Sequence, residues 1–559
     1  MATSVCCGAP GPQNRTVTVD ATLLLILAAV AVVVAVRWLG ERTGLPAAAL
    51  LTIVGILYAL LPGPNVPLDP HIILTFVIPP LLYSAALDSS LIDIRRNLRT
   101  VISLSVALVL ATALLVGAGF ALFVAGATMA AGVALGAAVA PPDPVAALAV
   151  SRKVGLPSNL VTLVQGEGLL NDATALTILS VAVAAAGGRT FSFPEAVGQF
   201  VLAAAGGVLA GAAIAYGVRL LRRVRVDPLN SNAISLAAPF AAYLLGERAQ
   251  VSGVLAVVVA GLIIGHDAPR MATGASRLQT SAVWRLVDFL LEGLVFLLIG
   301  QQLPAVVRGL GDYRPATIVT AVAVSVLVVL VLRPLWLILT QSLPRSLHTR
   351  LGGEGSDTGS RWLDRALNAR EVAALSWAGT RGVITLAAIF TLPKPFPDRD
   401  LLLFCAFVVV VVTLIGQGLT FAPLVRRLGL RANEADKVRQ RNEARSAAVQ
   451  AALDRLDEIQ LEQHDHLEDH AIETMRRQLR HRLDRYRRRL DLLESADSDE
   501  VPSSPQYEAA LLVRRAVIDA EREELLRWRE AGRLSDQGLR VLERELDHAE
   551  RLLPDRPAG

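Results

Sequence analysis

The sequence predicts an all-α polytopic membrane protein with about 13 transmembrane helices, arranged as inverted repeats with two broken helices and followed by a helical cytoplasmic tail. Three observations predict it. Hydrophobic residues fill 53% of 559 positions and mean hydropathy is +0.49, more apolar than an ordinary soluble chain. Charge is sparse up to about Leu430 and dense from there to the C-terminus. Two of the apolar stretches are interrupted by helix-breaking residues placed around a charge.

A spanning helix needs about 20 apolar residues to cross roughly 30 Å of hydrocarbon. Stretches of that kind fall at 21–39, 46–62, 71–87, 100–124, 128–150, 159–186, 194–218, 229–246, 251–265, 281–303, 315–340, 371–393 and 400–425. This gives an extracytoplasmic N-terminus at 1–20, a transmembrane domain at 21–430 and a cytoplasmic helical regulatory tail at 431–559. Loop charge tests the assignment, because cytoplasmic loops collect Lys and Arg. Arg42, then Arg95, Arg96 and Arg99, then Arg152 and Lys153, then Arg219, Arg222, Arg223 and Arg225 follow spans one, three, five and seven. Arg270 and Arg277 follow span nine, a basic stretch over 345–370 follows span eleven, and Arg426, Arg427 and Arg431 follow span thirteen. Loops after the even spans hold few, such as Arg189, Arg248, or Lys394 with Arg399. The expected place is the cell membrane, with the N-terminus outside and the tail cytoplasmic.

The first residues lack a basic n-region, and the apolar run after them leads into further spans, so no cleaved signal peptide is expected. Cys6, Cys7 and Cys405 are the only cysteines and form no disulfide framework. The net charge of +4 rests on arginine, since Lys153, Lys394 and Lys437 are the only lysines. Membrane topology explains that excess better than nucleic acid does.

In span five, AVAPPDPVAA sets Pro141, Pro142 and Pro144 around Asp143. Prolines delete backbone donors and clash with the preceding turn, so the helix breaks there. Span twelve contains SWAGTRGVITL, where Gly379 and Gly382 flank Thr380 and Arg381. Spans one to six and eight to thirteen read as two repeats linked by span seven, and spans five and twelve then correspond. Discontinuous helices in corresponding positions point to a transporter site at the repeat interface. Span six adds the acids: GEGLLNDATA, from Gly166 to Ala175, puts Glu167, Asn171 and Asp172 at mid-span. Ionisable groups at that depth are costly and therefore functional candidates.

GEGLLNDATA in span six, PPDPVAAL in span five, RPLW from Arg333 in span eleven and SWAGTRGVITL in span twelve, in this order and spacing, resemble the monovalent cation/proton antiporters. Within that family they resemble the sodium/proton exchanger branch that carries an Asn-Asp pair, over roughly residues 20–430. The resemblance implies a thirteen-span inverted repeat with crossed, unwound fifth and twelfth helices, usually a homodimer, whose core moves against a scaffold. It also implies Asp172 as the ion-binding carboxylate, Asn171 as its amide partner, Asp143 as the acid of the crossing, and Glu167 with Arg333 as a buried ion pair. Many members have Thr before the Asp-Pro. Pro142 stands here instead, which leaves backbone carbonyls or water in place of a hydroxyl. Asn171, where other branches have a second Asp, goes in that family with electroneutral one-for-one exchange.

Sodium is a hard cation that takes oxygen ligands, and Asp172, the side-chain carbonyl of Asn171 and carbonyls freed at the breaks supply them. Burial disfavours the charged form of a carboxyl, so proton and cation compete for one site. His71, His266, His348, His464, His466, His470, His481 and His548 all lie outside the span centres, which leaves intramembrane proton binding to carboxylates. The expected activity is exchange of Na+, or of Li+ or K+, against H+ by alternating access, serving cytoplasmic pH and Na+ homeostasis. Membrane lipid is the environment, and no cofactor or metal centre is expected. A K+/H+ antiporter, a cation channel or a symporter are the alternatives. An intramembrane aspartyl protease is set aside on the reading that its Tyr-Asp and Gly-x-Gly-Asp signatures are absent and that Asp143 and Asp172 sit within motifs that match transporters.

Several side chains allow two readings. Glu167 reads as the structural partner of Arg333 or as an ion ligand. Asp143 and Arg381 read as compensators of helix-end dipoles at the unwound segments, or, for Arg381, as a substrate contact. Asp288 and Glu292, four apart in span ten, line the permeation route or pair structurally with Arg285. In the tail, HDHLEDH from His464 to His470 offers metal-binding spacing or a solvated charged helix. Leu453, Leu456, Ile459 and Leu493 give the tail a packing stripe, and SADSDEVPSSP divides it. The tail reads as a regulatory or dimer-stabilising module.

Overall fold

In hydrocarbon no water is available to the main chain, so every backbone donor and acceptor has to be satisfied inside the protein. The computed structural model is accordingly helical, without strands among its described residues, which are 19–43, 45–61, 72–144, 147–148, 151, 155–187, 193–223, 227–271, 273–342, 367–430, 434–462, 466–495, 505–531 and 533–551. Cys6, Cys7, His71, Arg152, Lys153, Arg189, Arg225, the stretch 343–366, Arg431, His464 and the tail break at 496–504 fall outside them. The chain separates into two units, Met1–Arg431 and Ala432–Gly559.

The first unit opens with α1 (Val19–Thr43), α2 (Ala47–Ala59), α3 (Ile73–Leu87), α4 (Leu91–Arg96), α5 (Leu98–Phe123) and α6 (Met129–Val139). It continues with α7 (Ser158–Ala186), α8 (Phe193–Arg223), α9 (Pro228–Arg248), α10 (Gly253–Met271), α11 (Gly274–Arg308) and α12 (Pro315–Ser342). The short helices α13 (Ala369–Trp377) and α14 (Val383–Phe390) precede α15 (Arg399–Leu428), which ends on Gly429 in the left-handed region at φ 65°. Among the described residues, seven helices, within α1, α5, α7, α8, α10, α12 and α15, are each long and apolar enough to cross a bilayer. Helices run past the apolar stretches: the expected span 281–303 is the middle of α11, and 194–218 extends to Arg223. Hydropathy registers only the hydrocarbon depth, whereas the hydrogen-bonded helix carries on into the polar interface.

Between membrane helices, close packing replaces the hydrophobic drive, and small residues permit it. At the α2–α11 crossing, a Cβ on Gly55 would run into the carbonyl of Leu297, and one on Gly300 into that of Thr52. Large apolar side chains such as Leu24, Leu27, Leu202, Leu209, Leu327 and Leu335 remain exposed on α1, α8 and α12, as expected of a lipid-facing surface. Among the described residues, three helices contain five-residue π segments: Ile73–Val77 in α3, Ser103–Ala107 in α5 and Thr413–Gln417 in α15. Such bulges often sit at functional sites.

The second unit consists of two helical hairpins. In the first, α16 (Glu434–Glu462) and α17 (His466–Ser495) close over Val449, Leu453 and Leu483, with Leu479 and Tyr486 packed beside them. Leu456 and Ile459 are half-buried, as the expected stripe requires, while the side chain of Leu493 lies outside the described residues. In the second, α18 (Pro505–Glu530) and α19 (Asp536–Arg551) bury Ile518 and Leu539, and Arg522 bridges Asp547 and Glu550 at 3.0 and 2.9 Å.

Candidate functional site

Two helix breaks face each other. α6 stops at Val139, and residues 141–143 are not helical before helical turns resume at Pro144, because three prolines in four positions cannot continue the backbone ladder. The second break, Ala378 to Gly382, separates α13 from α14. The Asp143 N–H donates to the Thr380 carbonyl at 2.6 Å, and the Thr380 hydroxyl donates to the Asp143 carbonyl at 3.1 Å. Gly382 is required by closeness, since a Cβ there would collide with the Asp143 carboxylate.

Arg381 fills this junction. Its Nε donates to the Val139 carbonyl at 2.8 Å, its Nη2 to the Ala140 carbonyl at 3.2 Å and its Nη1 to the Gly379 carbonyl. The last carbonyls of a helix lack intrahelical donors and carry partial negative charge, so a buried guanidinium at the end of α6 satisfies both needs. The Arg381 main-chain N–H donates to Thr413 Oγ1 at 3.0 Å, which ties the break to the π segment of α15.

α7 passes alongside with Glu167, Asn171 and Asp172, all buried. Arg333 of α12 forms a two-pronged ion pair with Glu167, through Nη1 to Oε1 and through Nη2 to Oε2 at 2.8 Å. Its Nε donates to the Leu375 carbonyl of α13 at 3.1 Å. Ser105, in the π segment of α5, donates to the Glu167 carbonyl at 3.2 Å, and Trp336 of the RPLW run donates to Ser103 Oγ at 3.2 Å. The pair therefore joins four helices.

The Asn171 amide donates to the Pro142 carbonyl at 3.2 Å, while its own Oδ1 is buried without a donor among the described residues. Asp172 is 3% exposed and has no hydrogen bond or ion pair with any described residue. It lines a cavity of about 240 Å³ together with Asp143, Gln165, Thr385, Asp288 and Glu292. A second cavity of about 180 Å³, which includes Arg222, Arg277 and Arg285 in its wall, shares Ser84, Asp88 and Asp288 with the first. The Ser84 hydroxyl donates to Asp288 Oδ2 at 2.5 Å, and Oδ1 is buried without a partner among the described residues.

The structure thus brings Asp143, Asn171 and Asp172 to one junction and sets Glu167 with Arg333 beside it. The structural reading of Asp288 with Arg285 is corrected: Arg285 Nε donates to the Ser281 carbonyl at 3.2 Å, and Asp288 turns to Ser84. A Gly-x-Gly-Asp run does occur, at Gly309 to Asp312, but in the turn between α11 and α12. Sequence reasoning placed Thr380 at the break without a role and missed Thr413, Ser84 and Asp88. A serine and an aspartate four apart at the end of an apolar helix were a signal for the last two.

Two helix breaks bonded to each other beside a buried carboxylate without a cationic partner among the described residues are the arrangement of a secondary transporter. The family profile described as "Sodium/hydrogen exchanger, transmembrane" matches residues 26–427. An uncharacterized Na+/H+ exchanger of Mycobacterium tuberculosis is 33% identical over 547 residues, covering 95% of this chain and 96% of that one. The sodium, potassium, lithium and rubidium/H+ antiporter of Bacillus pumilus is 30% identical over 378 residues, 65% of this chain and 55% of the relative. The sodium proton antiporter MjNhaP1 from Methanocaldococcus jannaschii, at pH 8, shares the fold with a TM-score of 0.56 at 17% identity, over 73% of this chain and 98% of that one. The chain belongs to the sodium/hydrogen exchanger family and is a multi-pass membrane protein.

Proposed function

We propose that this protein exchanges Na+ for H+ at Asp172 by alternating access. One observation carries the reading: Asp172 is buried against a cavity with no cationic partner among the described residues, while both guanidiniums of the core are committed elsewhere. Arg333 is taken by Glu167, and Arg381 by the carbonyls of Val139, Ala140 and Gly379. A buried carboxylate left in that state needs a proton or a metal cation to offset its charge. The two compete, and a cycle in which access changes only with one of them bound gives counterflow.

Asn171 Oδ1 is the second oxygen for the cation, and Asp143 adds its charge from the crossing. Glu167 with Arg333 holds the core, and Arg381 compensates the end of α6. The outward N-terminus, the cytoplasmic regulatory tail from 431 and a homodimeric assembly follow from the loop charges and the family resemblance. Transport of K+ and Li+ is a second reading, favoured by the printed name of the Bacillus pumilus relative.

The test is reconstitution in liposomes with a trapped pH dye, comparing wild type with Asp172→Asn and offering Na+, Li+ and K+ separately. Cation-driven pH change abolished by the substitution supports antiport at this site. Exchange that survives moves the proton to Glu167 or Asp143. No exchange with any cation sinks the antiporter reading and favours a channel.

A further inference from the structure

The helix α18 carries two apolar faces, and its hairpin uses one. Buried Ile518 and half-buried Leu525 lie on the side turned to α19, where Arg522 meets Asp547 and Glu550. Ala509, Leu512, Val513, Ala516, Val517 and Ala520 form the other, at the i, i+3, i+4, i+7, i+8, i+11 spacing of a helical stripe. At about 100° per residue this stripe is centred nearly opposite Ile518. All six residues are exposed, Leu512 at 67%, Val513 at 63% and Val517 at 50%. A contiguous apolar surface with a charged rim marks an interaction site.

The rim charges select the occupant. Arg514 and Arg515 precede the middle of α18, which falls beside Val517, while Asp519, Glu521, Glu523 and Glu524 follow it. Such a helix is complementary to itself when reversed. Two copies laid antiparallel and crossing at Val517 bring the exposed Arg514 of one within a turn of the exposed Glu521 of the other, and symmetry makes the contact twice. A parallel pair would instead set the basic level against the basic level and acids against acids. The apolar face of an anionic bilayer is a poorer match, because it would repel the half of the rim from Asp519 to Glu524.

We propose that the stripe from Ala509 to Ala520 pairs with the same stripe of a second copy of this chain, the two α18 helices running antiparallel about a two-fold axis at Val517. The alanines let the helices approach closely, and Leu512, Val513 and Val517 supply the apolar area that is withdrawn from water. Arg514 with Glu521 sets the direction of the pair more than its strength, since exposed ion pairs contribute little. The contact lies wholly within the second unit, and neither it nor its readout involves transport.

The test uses the full-length protein in membrane vesicles, with Cys6→Ser and Cys7→Ser, while the buried Cys405 stays. Single cysteines are introduced as Ala516→Cys, Val517→Cys or Ala509→Cys, a mild oxidant is added, and disulfide-linked dimer is read by non-reducing electrophoresis. A disulfide needs Cβ atoms about 4 Å apart. Positions 516 and 517 lie next to the axis, whereas 509 would stand about 24 Å from its own copy at 1.5 Å of helix rise per residue. The expected result is dimer from 516 or 517 and little from 509. In the responsive background, Arg514→Glu should lower the yield severalfold, Glu521→Arg likewise, and the two together should restore it. Equal cross-linking at all three positions means a parallel pair or random collision and overturns the proposal. So does its absence at 516 and 517, and a membrane-impermeant maleimide then tells a bare stripe, whose thiols react, from one covered by another segment or by lipid, whose thiols are shielded. The comparison of cysteine positions needs no charge reversal, so a reversal variant that fails to fold leaves the test intact.

Discussion

The main-chain amide of Asp143 is bonded to the carbonyl of Thr380 at 2.6 Å, and the Thr380 hydroxyl returns a bond to the Asp143 carbonyl at 3.1 Å. Each unwound segment therefore satisfies groups that the other has freed. Irregular backbone at membrane depth survives only where the protein supplies such partners. The two breaks are thereby tied to each other by main-chain and side-chain hydrogen bonds.

Thr380→Val keeps the shape of the side chain and removes its hydroxyl, leaving the Asp143 carbonyl short of a donor while the main-chain bond persists. The expected loss is about 1–3 kcal/mol, the range for an unsatisfied buried group. Thermal unfolding in detergent should show it as a lowered midpoint, with exchange reduced severalfold, and Thr380→Ser should restore both. An unchanged midpoint would mean that the hydroxyl contributes nothing to the tie.

Glu167 and Arg333 answer to a double-mutant cycle. Either Glu167→Gln or Arg333→Gln leaves a buried charge alone, at a cost of about 3–5 kcal/mol. Replacing both by apolar residues of similar volume, Glu167→Leu with Arg333→Met, should recover most of the stability, because the isolated charge is what costs. Recovery of folding with recovery of exchange marks the pair as structural. Folding without exchange would assign Glu167 an ionic role.

Arg381 uses a planar fork of donors to reach three carbonyls from two segments, and a lysine ammonium cannot copy that geometry. Arg381→Lys keeps the charge and loses the fork. Each lost bond to a charged group is worth about 1.5–3 kcal/mol, so the variant should be strongly destabilised and purify poorly. Near wild-type stability would show that charge alone compensates the end of α6.

Much of this arrangement was legible in the sequence. The breaks were written as prolines around Asp143 and as glycines around Arg381, and the acids of α7 stood out against their apolar surroundings. The resemblance carried by the four motifs implied the pairing of Arg333 with Glu167 across 166 positions. The roles of Thr380, Thr413 and Ser84 were not legible, since a hydroxyl in an apolar helix commonly bonds its own preceding turn, as Thr112 and Ser325 do here. The π segments were hidden for a similar reason: one extra residue per turn changes hydrogen bonding without changing hydropathy. The number of spans was blurred by short helices such as α2 and α6, whose apolar length falls below what a complete crossing needs.

Asp288 supplies the remaining prediction. It is common to both cavities, with one oxygen fixed by Ser84 and the other buried without a partner among the described residues, and it stands between the arginine-bearing wall and the cavity of Asp172. A carboxylate so placed attracts cations toward Asp172 without being their final ligand. Asp288→Asn keeps the size of the side chain and an acceptor for Ser84 while removing the charge. The expected outcome in proteoliposomes is a severalfold rise in half-saturating Na+, a maximal rate close to wild type, and a smaller difference between the two proteins at high ionic strength, where screening weakens the attraction. A lowered melting midpoint with unaltered half-saturation would instead make Asp288 a strut between α3 and α11. Abolished exchange, as expected of Asp172→Asn, would move it into the set of carboxylates that carry the ion.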